Sequence, residues 1–146
     1  LIRAGTEIVW RRFGVSHNAA GQRIWDNQRV RTTVLIVDDH DGFRESARAL
    51  LEAEGFAVVG GAADAAAALA AVQRLRPEVV LLDVQLPDVD GFAVAGQLAA
   101  APDPPRVVLI SSRDAAAYGP CLDAVPACGF LAKRELSGTS LAALVG

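Results

Sequence analysis

Four short aliphatic runs in this chain end in polar residues that could act on one substrate. Val34-Leu35-Ile36-Val37 ends in Asp38 and Asp39, Val79-Val80-Leu81-Leu82 in Asp83, Val107-Val108-Leu109-Ile110 in Ser111, and Phe130-Leu131-Ala132 in Lys133. Three carboxylates gathered in one place repel one another, so the set makes sense chiefly around a hard divalent cation, which carboxylate oxygens bind well. With Asp39 and Asp83 on such a cation, the group suits phosphoryl transfer to a carboxylate. Asp83 would attack phosphorus to give an acyl phosphate, while Mg²⁺ neutralises the equatorial oxygens. Ser111 would donate a hydrogen bond, and Lys133 would pair with the phosphoryl charge. Lys133 is the only lysine of the sequence, every other basic side chain being arginine.

A parallel sheet puts the carboxyl ends of its strands at one edge, so residues about a hundred positions apart in sequence can converge there. The spacing predicts strands at residues 34–37, 57–60, 79–82, 107–110 and 130–132. Helices are expected at about 41–54, stopped by Gly55, and from an Asp64 cap to about 75, ending before Pro77. Two more are expected at about 92–100 and 139–145. A further helix could begin at 115–118, but Gly119-Pro120 interrupts it and Pro126 ends whatever follows. Strand and helix alternate five times, which implies a doubly wound α/β sheet with helices on both faces.

The body from residue 32 to the end resembles the receiver domain of two-component response regulators. Val-Asp-Asp, Leu-Asp-Val-Gln-Leu-Pro-Asp-Val-Asp-Gly, Ser-Ser and Gly-Phe-Leu-Ala-Lys follow strands 1, 3, 4 and 5 in that family's order and spacing. The resemblance implies a flavodoxin-like (βα)5 fold with strand order 2-1-3-4-5. It implies that Asp83 takes a phosphoryl group from a histidine kinase or a histidine phosphotransfer protein. Asp39 and Asp83 would be direct ligands of Mg²⁺ (or Mn²⁺), with the Gln85 backbone carbonyl as a third and Asp38 acting largely through water. Ser111 and Phe130 would be the switch pair, Gln85 and Arg113 would tune the lifetime of the phosphate, and Lys133 would complete the site. A receiver of this kind is a phosphoacceptor that assists its own chemistry rather than a classical enzyme. It signals to a downstream protein target, and a homodimer is compatible with that role. Arg134 stands where many receivers carry a proline, a replacement also found in receivers that precede helix-turn-helix domains.

Other residues near the motifs have plainer readings. Asp88 and Asp90 are expected to be solvated turn formers. Ser112 is a candidate helix cap, His40 a bystander, and Phe130 equally a core residue. Two other α/β classes fail on the sequence. An aspartyl phosphatase wants a second acid two residues after its nucleophile, where Gln85 stands. A flavin carrier wants a Ser/Thr/Gly-rich loop after strand 1, where the chain has Asp-Asp-His.

Charge divides the chain. Residues 1–31 hold six arginines against Glu7 and Asp26, a net +4 that leaves −7 for residues 32–146. The acidic body argues against direct nucleic-acid contact by the domain. The basic segment, with Trp10 and Trp25, could be an arm with aromatic anchors; its lack of periodicity favours a disordered N-terminal extension. No apolar run is long enough to span a membrane, no signal-peptide pattern opens the chain, and Cys121 and Cys128 fit no metal or disulfide framework. A cytoplasmic setting is therefore expected. The output is expected either from a stand-alone receiver acting by protein contacts or, alternatively, from a longer DNA-binding transcriptional regulator of which this is the receiver fragment.

Overall fold

The computed structural model describes residues 31–145, so the expectations for residues 1–30 lie outside the described part. Five strands form one parallel sheet: β1 (Thr33–Val37), β2 (Ala57–Ala62), β3 (Val79–Asp83), β4 (Arg106–Ser111) and β5 (Gly129–Ala132). Their order across the sheet is β2-β1-β3-β4-β5, the expected 2-1-3-4-5. Four helices connect and close them: α1 (Asp41–Ala53), α2 (Ala65–Leu75), α3 (Gly91–Ala99) and α4 (Gly138–Val145).

Alternate residues of the strands enter two separate cores, because successive side chains point to opposite faces of a sheet. On one face Leu35, Val37, Val80, Leu82, Val107 and Leu109 pack with Ala68 and Ala71 of α2 and with Val94 and Leu98 of α3. On the other, Val34, Ile36, Val79, Leu81, Val108 and Ile110 pack with Ala47 and Leu51 of α1 and with Leu141 and Val145 of α4. All five residues of β3 are buried. That accounts for a run with no polar alternation, and truncating one of its leucines to alanine would cost about 2–5 kcal/mol.

Local chemistry sets the ends of the helices. Asp64 caps α2 by accepting from the Ala67 amide at 2.8 Å, as its position predicts. Gly55 ends the turn after α1 with φ of +102°, a conformation that suits glycine. Two acids expected to be solvated turn formers act instead as caps. Asp90 accepts from Ala93 N at 2.9 Å at the start of α3. Asp88 reaches the free amides of α2, accepting from Ala65 N at 2.9 Å and Ala66 N at 3.2 Å. Both remain on the surface, but each satisfies helix N–H groups that would otherwise lack a partner.

The structure departs from the expected periodicity in two places. Strand β2 runs two residues past its expected end, and a bulge lets Val34 pair with Val58 and Leu35 with Gly60. Between β4 and β5 there is no α-helix. Two short 3₁₀ turns, Ala115–Ala117 and Gly119–Cys121, take its place. Pro120 cannot donate to a continuing helix, and Gly119 sits at φ +54°.

Candidate functional site

Asp38, Asp83 and Ser111 are the buried polar residues of the described chain, at 0%, 4% and 1% exposure. The sheet register brings them together. Asp83 closes β3 opposite Ile110 of β4. Ser111 closes β4 opposite Ala132, so Lys133 begins the segment just past β5. Asp38 follows β1 and continues its ladder, its amide donating to the Ala62 carbonyl at 3.0 Å. These neighbours are distant in sequence and share the carboxyl edge of the sheet.

Lys133 links the two buried acids. Its Nζ lies 2.5 Å from Asp38 Oδ2 and 3.4 Å from Asp83 Oδ2. Beneath it the Phe43 ring centroid is 4.7 Å away, a second favourable contact for an ammonium. Asp38 Oδ1 accepts from the His40 amide at 2.9 Å, and Asp83 Oδ1 accepts from the Gln85 amide at 3.1 Å. Arg44 Nη1 donates to the Asp38 carbonyl at 2.5 Å.

These contacts push the two acids in opposite directions. Burial raises Asp38, but Lys133 and the His40 amide outweigh it and hold this carboxyl below the ordinary range. Burial also raises Asp83; the neighbouring Asp38 charge adds to it, and the Gln85 amide and Lys133 only partly offset the two, so Asp83 ends above the ordinary range. Burial lowers Lys133, yet its two carboxylate partners win and raise it. The contacts thus favour the charged forms of Asp38 and Lys133 and make Asp83 the more basic of the two acids.

Asp38, Asp39 and His40 offer one ligand atom each within 4.8 Å of one another. His40, expected to be a bystander, lies with Nδ1 3.2 Å from Asp38 Oδ1 and 3.1 Å from Asp39 Oδ1. Asp83 stands outside that trio and joins it through Lys133. Asp39 and Gln85 are exposed, and Gln85 pairs with Asp90 in an isolated bridge across the loop. The donors fit a hard divalent ion such as Mg²⁺. Asp38 Oδ2 adds to that fit, being fully buried with no aligned hydrogen bond and only the Lys133 ion pair to balance it.

Gly91 has a structural reason to stand at the start of α3. A Cβ there would overlap the Asp83 carbonyl and come within 2.9 Å of Val84 Cα, so α3 can approach the strand end only through glycine.

Ser111 Oγ accepts from the Arg113 amide at 3.0 Å and lies 2.6 Å from the Tyr118 hydroxyl. Tyr118 lies outside the sequence motifs that point to the site. Its ring meets Phe92 edge-on at 5.7 Å and Phe130 at 5.9 Å between centroids. Phe130 is half-buried, and Arg113 is exposed on the loop beyond Ser111. Ser112 is exposed too. One signal for Tyr118 was available, since it is the single tyrosine of the chain and stands between Ser111 and Phe130.

The profile of the response regulator receiver domain matches residues 34–144. The chain belongs to that family. A Pseudomonas aeruginosa protein named as a transcriptional regulator is 39% identical over 112 residues, covering 75% of this chain and 54% of the other. The signal receiver domain of the response regulator NarL from Mycobacterium tuberculosis superposes with a TM-score of 0.66. The two are 37% identical, with 80% of this chain and 98% of that one covered. A LuxR-family two-component response regulator from an Aurantimonas species superposes with a TM-score of 0.70 at 27% identity, covering 80% and 86%. This receiver spans about half the length of the first curated relatives it matches, 54% and 49%. Receiver domains are signalling modules that work with histidine kinases, not classical enzymes. No helix among the described residues of this receiver is long and apolar enough to cross a membrane.

Proposed function

We propose that this receiver takes a phosphoryl group from a phosphohistidine onto Asp83 and uses the change to alter its contacts with a protein partner. The observation that carries the proposal is the buried pair of carboxylates, Asp38 and Asp83, bridged by Lys133 at 2.5 Å and 3.4 Å. In the reaction an Asp83 carboxylate oxygen forms a bond to phosphorus as the phosphorus–nitrogen bond of the donor breaks. The electron pair leaves with the donor imidazole, which then takes a proton. Lys133 stays protonated throughout and balances charge on the phosphoryl oxygens. Ser111 supplies a hydroxyl proton to one of those oxygens.

Asp39, Asp83 and the Gln85 carbonyl, with Asp38 behind them, would hold Mg²⁺ or Mn²⁺, and the ion would supply Lewis-acid neutralisation of the phosphoryl charge. Asp38 and Lys133 set the field before the donor arrives. Gln85 and Arg113, both exposed, would flank the approach to Asp83 and govern how readily water reaches the acyl phosphate. The phosphate donor is a histidine kinase or histidine phosphotransfer protein, and the setting is cytoplasmic.

A second reading concerns output. The first curated relatives are named as transcription regulators, and this chain spans about half their length. Output through a DNA-binding domain attached to this receiver is supported on that ground; the −7 body makes it unsuited to touch DNA itself. Sequencing the complete open reading frame decides between that and a stand-alone receiver.

Acetyl phosphate tests the phosphorylation reading without knowledge of the kinase. With Mg²⁺ the wild-type protein should gain one phosphate-sized increment in intact mass, and with excess EDTA it should gain none. An increment that persists undiminished in EDTA would sink the proposal.

A further inference from the structure

Tyr118 belongs to neither the acid cluster nor a regular helix, yet it holds the one hydroxyl that the proposed reaction needs. Ser111 is 1% exposed, so its hydroxyl must be satisfied by protein groups. A serine hydroxyl has one proton to give and two lone pairs to receive with. The Arg113 amide occupies a lone pair at 3.0 Å. For the proton, the Tyr118 oxygen at 2.6 Å is the partner recorded among the described residues. Ser111 as the donor to Tyr118, with the Arg113 amide on a lone pair, satisfies both capacities, and in that arrangement the half-buried Tyr118 keeps its own proton. At rest, the Ser111 proton is not available to a phosphoryl oxygen on Asp83.

We infer that Tyr118 is a positioning residue that holds Ser111 in the resting state and is released when Asp83 is phosphorylated; this rests on the reading of Asp83 as the phosphoacceptor. A phosphoryl oxygen carries more charge than a phenol oxygen and is the stronger acceptor. Ser111 exchanges one acceptor for the other, and no covalent bond changes in that step. Tyr118 then loses the contact that fixes its hydroxyl. Its ring sits between Phe92 of α3 and Phe130 of β5, at 5.7 Å and 5.9 Å, so a shift of Tyr118 is felt at both. The segment that carries it consists of two 3₁₀ turns rather than a helix, held to the loop after β5 by an exposed Arg134–Asp114 ion pair. Short turns with exposed backbone open more easily than a packed helix. Phe130 has no hydroxyl of its own, so the polar half of the switch lies with Tyr118 and the packing half with Phe130.

The chain has a single tyrosine, which makes a direct test available. This chain grown with 3-fluorotyrosine carries one fluorine nucleus, at position 118. Its ¹⁹F resonance is read with and without acetyl phosphate and Mg²⁺, and intact mass is taken on each sample. The resonance should move on phosphorylation in the wild type and stay in place in Asp83→Asn. Ser111→Ala should shift it before any phosphate is added. In unlabelled protein, Tyr118→Phe keeps the ring between Phe92 and Phe130 but removes the acceptor of the Ser111 proton. It should phosphorylate faster by about fivefold, the worth of one ordinary hydrogen bond. Ser111→Ala/Tyr118→Phe should show no such gain over Ser111→Ala, because the proton being released is gone. An unmoved resonance in a sample whose mass shows the phosphate overturns the role of Tyr118 and leaves the acceptor reading standing. So does a wild-type rate in Tyr118→Phe. Absence of any mass increment in the wild type overturns both, and the mass spectrum alone identifies that case.

Discussion

Replacing Lys133 by methionine removes the ammonium and keeps most of the stem. Two carboxylates, at 0% and 4% exposure, then lose the cation that stands 2.5 Å and 3.4 Å from them. Removing one partner of a buried ion pair costs about 3–5 kcal/mol, because the remaining charge stays desolvated. The lower end applies here. Asp83 is the more basic acid and can relieve the strain by taking a proton, and the Lys133 side chain is itself 17% exposed. The expected loss is about 3 kcal/mol, which for a domain of this size lowers the thermal midpoint by roughly 12 °C. Thermal unfolding followed by circular dichroism in EDTA measures it. Mg²⁺ should recover more stability in Lys133→Met than in the wild type, since an added divalent charge replaces the missing one. Adding Asp38→Asn to the variant should restore more than half of the loss. A change below about 1 kcal/mol in EDTA, or a double variant no better than the single one, would refute the pairing as the source of stability.

Four further outcomes concern the same site. Asp39→Ala should weaken Mg²⁺ binding by about tenfold or more, close to 1.4 kcal/mol, as read by titration calorimetry; unchanged affinity would remove Asp39 from the ligand set. Asp83→Asn should be more stable than the wild type at pH 7, because burial and the neighbouring Asp38 charge both disfavour the ionised form of Asp83. A raised folded-state pKa gives stability that is full below the unfolded value and lost as pH rises through the folded one, so this advantage should shrink on acidification. Asp38 runs the other way: its contribution holds above its ordinary value of 3.8 and is lost as pH falls below it. Arg113→Ala should hasten decay of the phosphorylated protein if its side chain shields the acyl phosphate; equal decay rates would leave that role to Gln85.

The parts of the site written in unbroken local patterns were legible in the sequence. An apolar run ending in one acid fixed Asp83, and a lone lysine after the last run fixed Lys133, because a parallel sheet puts every such end on one edge. What depended on packing at a distance was not legible. Asp88 looks like a turn residue beside Pro87, and only the fold shows that it caps a helix 23 positions earlier. Tyr118 lies in a stretch whose helical signal is broken by Gly119-Pro120, so no periodicity says which way it faces. The β2 bulge is also invisible, since Val59, Gly60 and Gly61 suit either register. The two contacts of His40 with Asp38 and Asp39 depend on the backbone turn after β1, which local pattern does not specify.

The central claim is that Asp83, among three neighbouring acids, carries the phosphate. Borohydride reduces an aspartyl phosphate to homoserine, and tandem mass spectrometry of the digested protein then names the position. After treatment with acetyl phosphate and Mg²⁺ and reduction, homoserine should appear at position 83 alone, and nowhere in Asp83→Asn. Homoserine at position 38 or 39, or none at all in protein shown to be phosphorylated, would contradict the account.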